Sequence, residues 1–197
     1  MNERSPMHRV RYLGLKWQAM ACLAVGWKAA AAQLFRTMLQ EFPHDGYALA
    51  SLAHIAAQAG QRSEAIALLS QLTTRESEHA HHWFNLGFLL EQEKLFERAE
   101  HALRRATELS PQLDRAWYGL GLVLIQLQRF DEAVEALRKN TQLQPMSPYG
   151  WYQLARVHVD RQEPEEARKI IRHLQGFEPK VARQLERETG LRVSPSS

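Results

Sequence analysis

An all-α stack of antiparallel helical hairpins is the fold this sequence predicts, and three observations carry the expectation. A pattern of aromatic or Leu, Leu-Gly or its equivalent, Ala, Leu and Pro returns every 34 residues without a slip of register. A fixed period of that length marks paired helices stacked in an array. Within each period, positions 4, 7, 8 and 11 share one face of a first helix and positions 20, 24 and 27 one face of a second. Small residues recur where two backbones must approach, at Ala53, Gly87, Gly121 and Ala155 in the first helices and at Ala65, Ala99, Ala133 and Ala167 in the second.

Taken in order, residues 1–11 form an N-terminal extension, and the first repeat, 12–45, places Leu15, Gln18, Ala19 and Cys22 before Ala31, Phe35, Met38 and Pro43. The second, 46–79, has Leu49, Leu52, Ala53 and Ala56, then Ala65, Leu69, Leu72 and Ser77. The third, 80–113, is the clearest, with Trp83, Leu86, Gly87 and Leu90, then Ala99, Leu103, Ala106 and Pro111. Trp117, Leu120, Gly121, Leu124, Ala133, Leu137, Asn140 and Pro145 repeat it over 114–147, and Trp151, Leu154, Ala155, His158, Ala167, Ile171, Leu174 and Pro179 over 148–181. Ser63 and Asp131 are placed to cap second helices, and Pro164 suits a first helical position. Pro43, Pro111, Pro145 and Pro179 end the second helices or the turns after them. Residues 182–197 read as a capping helix, with Leu185 on one side, Arg183, Glu186 and Arg187 on the other and Gly190 as a stop, followed by a frayed tail.

The chain has 197 residues, 45% of them hydrophobic, and a formal net charge of +3. A nucleic-acid binder gathers Lys and Arg on one face, whereas here Glu91, Glu93, Glu97 and Glu100 alternate with Arg98, Arg104 and Arg105, so no nucleic-acid partner is expected. The single cysteine, Cys22, excludes an internal disulfide and a thiolate zinc site, and it favours a reducing compartment. Arg9, Arg11 and Lys16 precede an apolar run from Ala19 to Trp27 that superficially looks like a secretory signal. The run is short for a membrane span, which needs about 20 residues, and Ala19, Ala31, Phe35 and Pro43 already hold repeat positions. A cytoplasmic protein is expected.

The pattern resembles the tetratricopeptide repeat family over five consecutive repeats from Tyr12 to Val181. That resemblance implies a right-handed α-solenoid whose first helices line a concave groove, and a role in holding another protein, as an adaptor or an assembly chaperone for a peptide or amphipathic helix. In the family, positions 2, 5, 6, 9, 12 and 13 point into the groove. The corresponding binding candidates are Tyr47 and His54 in the second repeat, and His81, Phe84, Asn85 and Phe88 in the third. Arg115, Tyr118 and Leu122 follow in the fourth, and Tyr149, Tyr152 and Arg156 in the fifth. Phe84, Tyr118 and Tyr152 share position 5, which also packs against the neighbouring first helix, so scaffold and client contact both stay open for them. Family members that grip a C-terminal carboxylate use Lys, Asn, Asn, Lys and Arg where this chain has Ala50, His54, Asn85, Arg115 and Gly119. Only Asn85 and Arg115 fit, so the full clamp is missing.

No cap precedes the first repeat, whose groove positions include Leu13, Lys16, Trp17 and Met20. With Trp27, Trp17 and Met20 form a candidate surface for self-association into a homodimer. The nine histidines include His79, His81 and His82, but adjacent helical positions point about 100° apart and no cysteine completes a shell. No metal, cofactor, catalytic residue or enzymatic activity is expected.

Overall fold

In the computed structural model, which describes residues 6–193, every regular element is a helix, and the helices fall into two compact units divided at Leu89 and Leu90. The first unit holds α1 (Pro6–Ala24), α2 (Lys28–Glu41), α3 (Gly46–Gln58), α4 (Arg62–Arg75) and most of α5 (Ala80–Gln92). The second takes the end of α5, then α6 (Phe96–Leu109), α7 (Asp114–Gln126), α8 (Phe130–Leu143), α9 (Pro148–Asp160), α10 (Pro164–Gln175) and α11 (Pro179–Thr189). In the first unit α1 packs on α2, α2 on α3 and α3 on α4. In the second each helix from α6 to α11 packs on the next, and α11 also returns to α9. The all-α expectation holds, and α11, Pro179–Thr189, begins three residues before the segment 182–197 that the sequence reads as a cap.

The core follows the repeat positions. In the first unit Ala19 of α1, Ala31, Phe35 and Met38 of α2, and Ala48, Leu52 and Ile55 of α3 form one buried cluster, with Tyr12, Leu15 and Cys22 packed partly buried against it. In the second, Leu103, Leu120, Leu124, Leu137, Ile171, Leu174 and Leu185 are fully buried. Gly121 shows why position 8 must be small, since a Cβ there would stand 2.7 Å from both Cγ and Cδ2 of Leu137.

Two features recur at the period of the sequence. The indole Nε1–H of Trp83, Trp117 and Trp151 donates to the carbonyl oxygen six residues earlier, Ser77 at 2.7 Å and Pro111 and Pro145 at 2.9 Å. Position 4 is therefore a tie to the preceding turn as well as a packing residue. The turn inside each hairpin has a left-handed residue, Gly26, Gly60, Lys94, Gln128 or Gln162, with φ between 58° and 81°. The amide one residue later returns to the carbonyl five residues back, as in Trp27 to Cys22, Leu95 to Leu90 and Glu163 to His158, at 2.8–2.9 Å. This is the Schellman ending, which closes a helix through one left-handed residue.

That turn corrects the expected caps. Because the left-handed residue leads directly into the next helix, Gln61 and Arg129 occupy the N-cap positions of α4 and α8 and make no side-chain cap bond. Ser63 and Asp131 lie inside the first turn, where Asp131 is close to the helix N-terminus and pairs with Arg161 at 3.0 Å. The side-chain cap that does form is Asp45 on α3, accepting from the Ala48 amide at 2.7 Å. Pro164 is a first-turn residue as expected, and Pro179 opens α11.

Lys94, Gln128 and Gln162 carry side chains in a conformation that costs an ordinary residue roughly 1–2 kcal/mol, while glycine gives back about 0.4–1 kcal/mol of that through its freer unfolded chain. The triple variant Lys94→Gly, Gln128→Gly and Gln162→Gly is expected to be stabilised by about 2–3 kcal/mol in total. Urea unfolding measures this, and an unchanged or lowered midpoint would contradict the account of these turns.

Candidate functional site

On α3 and α5 in the first unit, aromatic side chains stand beside polar ones. Tyr47, one residue inside the Asp45 cap, is exposed; it meets Phe35 edge-on at 5.8 Å, and the Lys16 ammonium lies 4.2 Å from its ring centre. This cation–π contact fixes the ring at a modest energy of about 0.5–1 kcal/mol. His54, two turns further along the same face of α3, is exposed and 2.8 Å from Gln58. On α5, Phe84 is 8% exposed and Phe88 47% exposed, and their rings stack at 6.3 Å. Phe84 thus supports the ring that reaches solvent. His81 and Asn85 are exposed on the same helix.

In the second unit Arg115 is exposed in the first turn of α7, and Tyr118 and Leu122 follow it, half-buried. Burial pushes the Tyr118 phenol above its ordinary pKa, against the lowering effect of its hydrogen bond with Gln153 of α9. Tyr149, at the start of α9, is 70% exposed. Tyr152 and Arg156 are engaged from within the chain. The Tyr152 hydroxyl donates to Glu188 of α11 at 2.5 Å, and Arg156 reaches that hydroxyl at 3.3 Å and Glu188 at 3.6 Å. The Tyr152 hydrogen bond, then that of Gln184, holds the Glu188 carboxylate below the usual range. The carboxylate of the capping helix, which the repeat pattern gave no reason to place here, therefore occupies the polar end of the α9 face.

The remaining candidate groups are structural. His82 lies 3.1 Å and His79 3.8 Å from Glu76, the C-cap of α4, a partner that the spacing of the histidines does not reveal. His158 is buried at packing position 11 with Nδ1 2.7 Å from Glu163. Away from these side chains, Arg104 and Arg129 share Glu100 and Glu132 at 2.5–2.7 Å, which ties α6 to the start of α8. Among the described residues no three His, Cys, Asp or Glu side chains are grouped to hold a metal ion, and no helix is long and apolar enough to cross a membrane. Trp17 and Trp27 are 65% and 66% exposed, on α1 and in the turn after it, and Met20 is exposed between them.

Models of the tetratricopeptide repeat match residues 29–86, 89–148 and 118–179. No curated protein matches the sequence. Among solved structures, a crystal structure of MamA protein superposes with a TM-score of 0.80 at 19% identity, covering 94% of this chain and 98% of that one. MamA (residues 41 to the end) from Desulfovibrio magneticus RS-1 gives 0.76 at 19% identity, over 90% of this chain and 96% of its own. YrrB, described as a TPR protein with an unusual peptide-binding site, gives 0.78 at 18% identity, over 86% and 88%. At such identities the likeness is one of fold.

Proposed function

Taking as premise that this chain belongs to the tetratricopeptide repeat family, a family of protein-interaction scaffolds, we propose that it is an adaptor or assembly chaperone whose inner first-helix faces bind a peptide or amphipathic helix of a client. The observation that carries the reading is the exposure of large aromatic side chains, Phe88 in the first unit and Tyr149 in the second, on faces whose neighbouring side chains are polar. A folded chain leaves such rings in solvent at a cost, and aromatic anchors dominate the energetics of most interfaces. In this reading Tyr47 and His54 serve the α3 face, and His81 and Asn85 the α5 face with Phe88. Arg115, Tyr118 and Leu122 serve the α7 face, while Tyr152 and Arg156 meet a client only beyond the contact with Glu188. Phe84 acts through Phe88. The peptide-binding site ascribed to YrrB lends support as a property of a protein of the same fold. The scaffold is non-enzymatic and works in the cytoplasm, where the single thiol of Cys22 stays reduced.

The test is affinity capture of clients with the full chain, followed by titration of the captured client against Phe88→Ala, Leu122→Ala and the double variant. Each single change is expected to weaken binding, and the pair to cost about 2 kcal/mol or more. The melting temperature should barely move, because neither residue fills a repeat-packing position. A client bound as tightly by the double variant as by the parent overturns the reading.

A further inference from the structure

The two faces of α1 have opposite fates. Tyr12, Leu15, Ala19 and Cys22 pack into the core of the first unit. On the other side Val10, Leu13, Trp17, Met20 and Ala24 are exposed, spaced three and four residues apart. This alternation is the seam by which one helix pairs with another, and Val25 and Trp27 extend it into the turn, also exposed. Elsewhere in the fold the positions bordering such a seam face the second helix of the preceding repeat. Ala48, Leu52 and Ile55 of α3 join the α2 side chains in the core. A Cβ on Gly119 would stand 3.3 Å from Leu103 of α6, and one on Gly150 would stand 2.1 Å from Asn140 and 3.1 Å from Thr141 of α8. In α1 the residue corresponding to Gly150 is Gly14, and among the described residues nothing lies within 4 Å of where its Cβ would be. The small residue that close helix stacking demands is present, and no described helix packs against it. Gln18 stands where the later repeats have Leu52, Leu120 and Leu154, so an occupant lies along the seam and does not reach round to that side.

Charge selects among occupants. Between residues 6 and 40 there is no Asp or Glu, while Arg9, Arg11, Lys16, Lys28 and Arg36 are cationic. Arg11 is bonded to Glu41 at 2.5 Å, Arg36 to Glu64 at 3.1 Å, and Lys16 lies over Tyr47. Arg9 and Lys28, one near each end of the seam, have no ion-pair partner among the described residues. A second copy docking by the same face would bring identical cations to the contact, and like charges across an interface are costly. An anionic bilayer would satisfy the charges, but has no use for the open space over Gly14.

We propose that this face of α1 docks an amphipathic helix of another protein, one with an apolar three-four seam flanked by carboxylates. Met20 holds in the first repeat the position that Phe88 and Leu122 hold in theirs, so the proposal deepens the reading of the first-helix faces by giving the α1 seam an occupant of its own, which need not touch Phe88 or Leu122. The probes are two synthetic helical peptides with the same leucine seam, one flanked by Glu and one by Lys, each titrated against the full chain by fluorescence anisotropy at low salt. The Glu-flanked peptide is expected to bind at least about tenfold more tightly, the preference to shrink as salt screens it, and Trp17→Ala to weaken it about tenfold while Phe88→Ala leaves it unchanged. Arg9→Glu with Lys28→Glu should reverse the preference between peptides, and circular dichroism establishes that each variant is folded. Equal affinity for the two peptides, indifference to Trp17→Ala, a dimer in light scattering that Trp17→Glu dissolves, or binding of phosphatidylserine vesicles without binding of either peptide would each overturn the proposal.

Discussion

Gly121→Leu is expected to lower the melting temperature by several degrees. The first carbon of any new side chain meets Cγ and Cδ2 of Leu137 at 2.7 Å, closer than packed carbons approach. Leu137 is itself fully buried, so it has no solvent-side rotamer in which to retreat. Overpacking of this kind costs about 1–3 kcal/mol or more, and for a chain of this size each kcal/mol moves the midpoint by about 2–4 °C. Differential scanning calorimetry reads the shift. A midpoint equal to the parent's would mean that α7 and α8 do not approach as described, and the assignment of position 8 to a close crossing would fall with it.

The complementary change, Leu137→Ala, is expected to cost about 2–5 kcal/mol, since it removes a fully buried side chain and leaves a cavity against α7. The two substitutions should also be strongly coupled. In the double variant Gly121→Leu with Leu137→Ala, the new leucine enters the space the old one vacates, so the combined loss should be smaller than the sum by about 1 kcal/mol or more. Urea denaturation of the two single variants and the double variant closes the cycle. Simple additivity would show that the residues act separately and that Gly121 is small for another reason.

How much of this was legible beforehand depends on what kind of signal each feature leaves. The helices were, because Trp83, Leu120 or Ala167 recur at a spacing that only stacked hairpins explain. The hairpin turns were not fully legible, because Lys94, Gln128 and Gln162 adopt a left-handed backbone that glycine normally advertises. With that marker absent at Gln128, Asp131 reads as a cap two residues too late, and Ser63 reads so although Gly60 marks its turn. Asp45 could have been found, since an aspartate directly before an apolar helical run is a capping signal. The pairing of Tyr152 and Arg156 with Glu188 could not, because it joins residues 36 and 32 positions apart through the return of α11 to α9. The groove candidates were legible as positions on a helix face but not as exposures. The burial of Phe84 beneath Phe88, and the half-burial of Tyr118 against Gln153, depend on neighbours that position alone does not name.

The tryptophan ties have a directional consequence. Each joins a carbonyl in the turn after one repeat to an indole in the first helix of the next, six residues further on. During synthesis the chain emerges N-terminus first, at about 5–20 residues per second, so the turns at Ser77, Pro111 and Pro145 leave the ribosome before the side chains that hold them. Each waits for the following helix to wind. The first two repeats have Leu15 and Leu49 at the tie position, side chains with no donor, and α3 takes its start from Asp45 next to it in sequence. Maturation of the nascent chain is therefore self-sufficient at its leading end and forward-dependent thereafter, and a ribosome stalled just short of Trp117 or Trp151 would expose a hairpin whose last turn is not yet fastened.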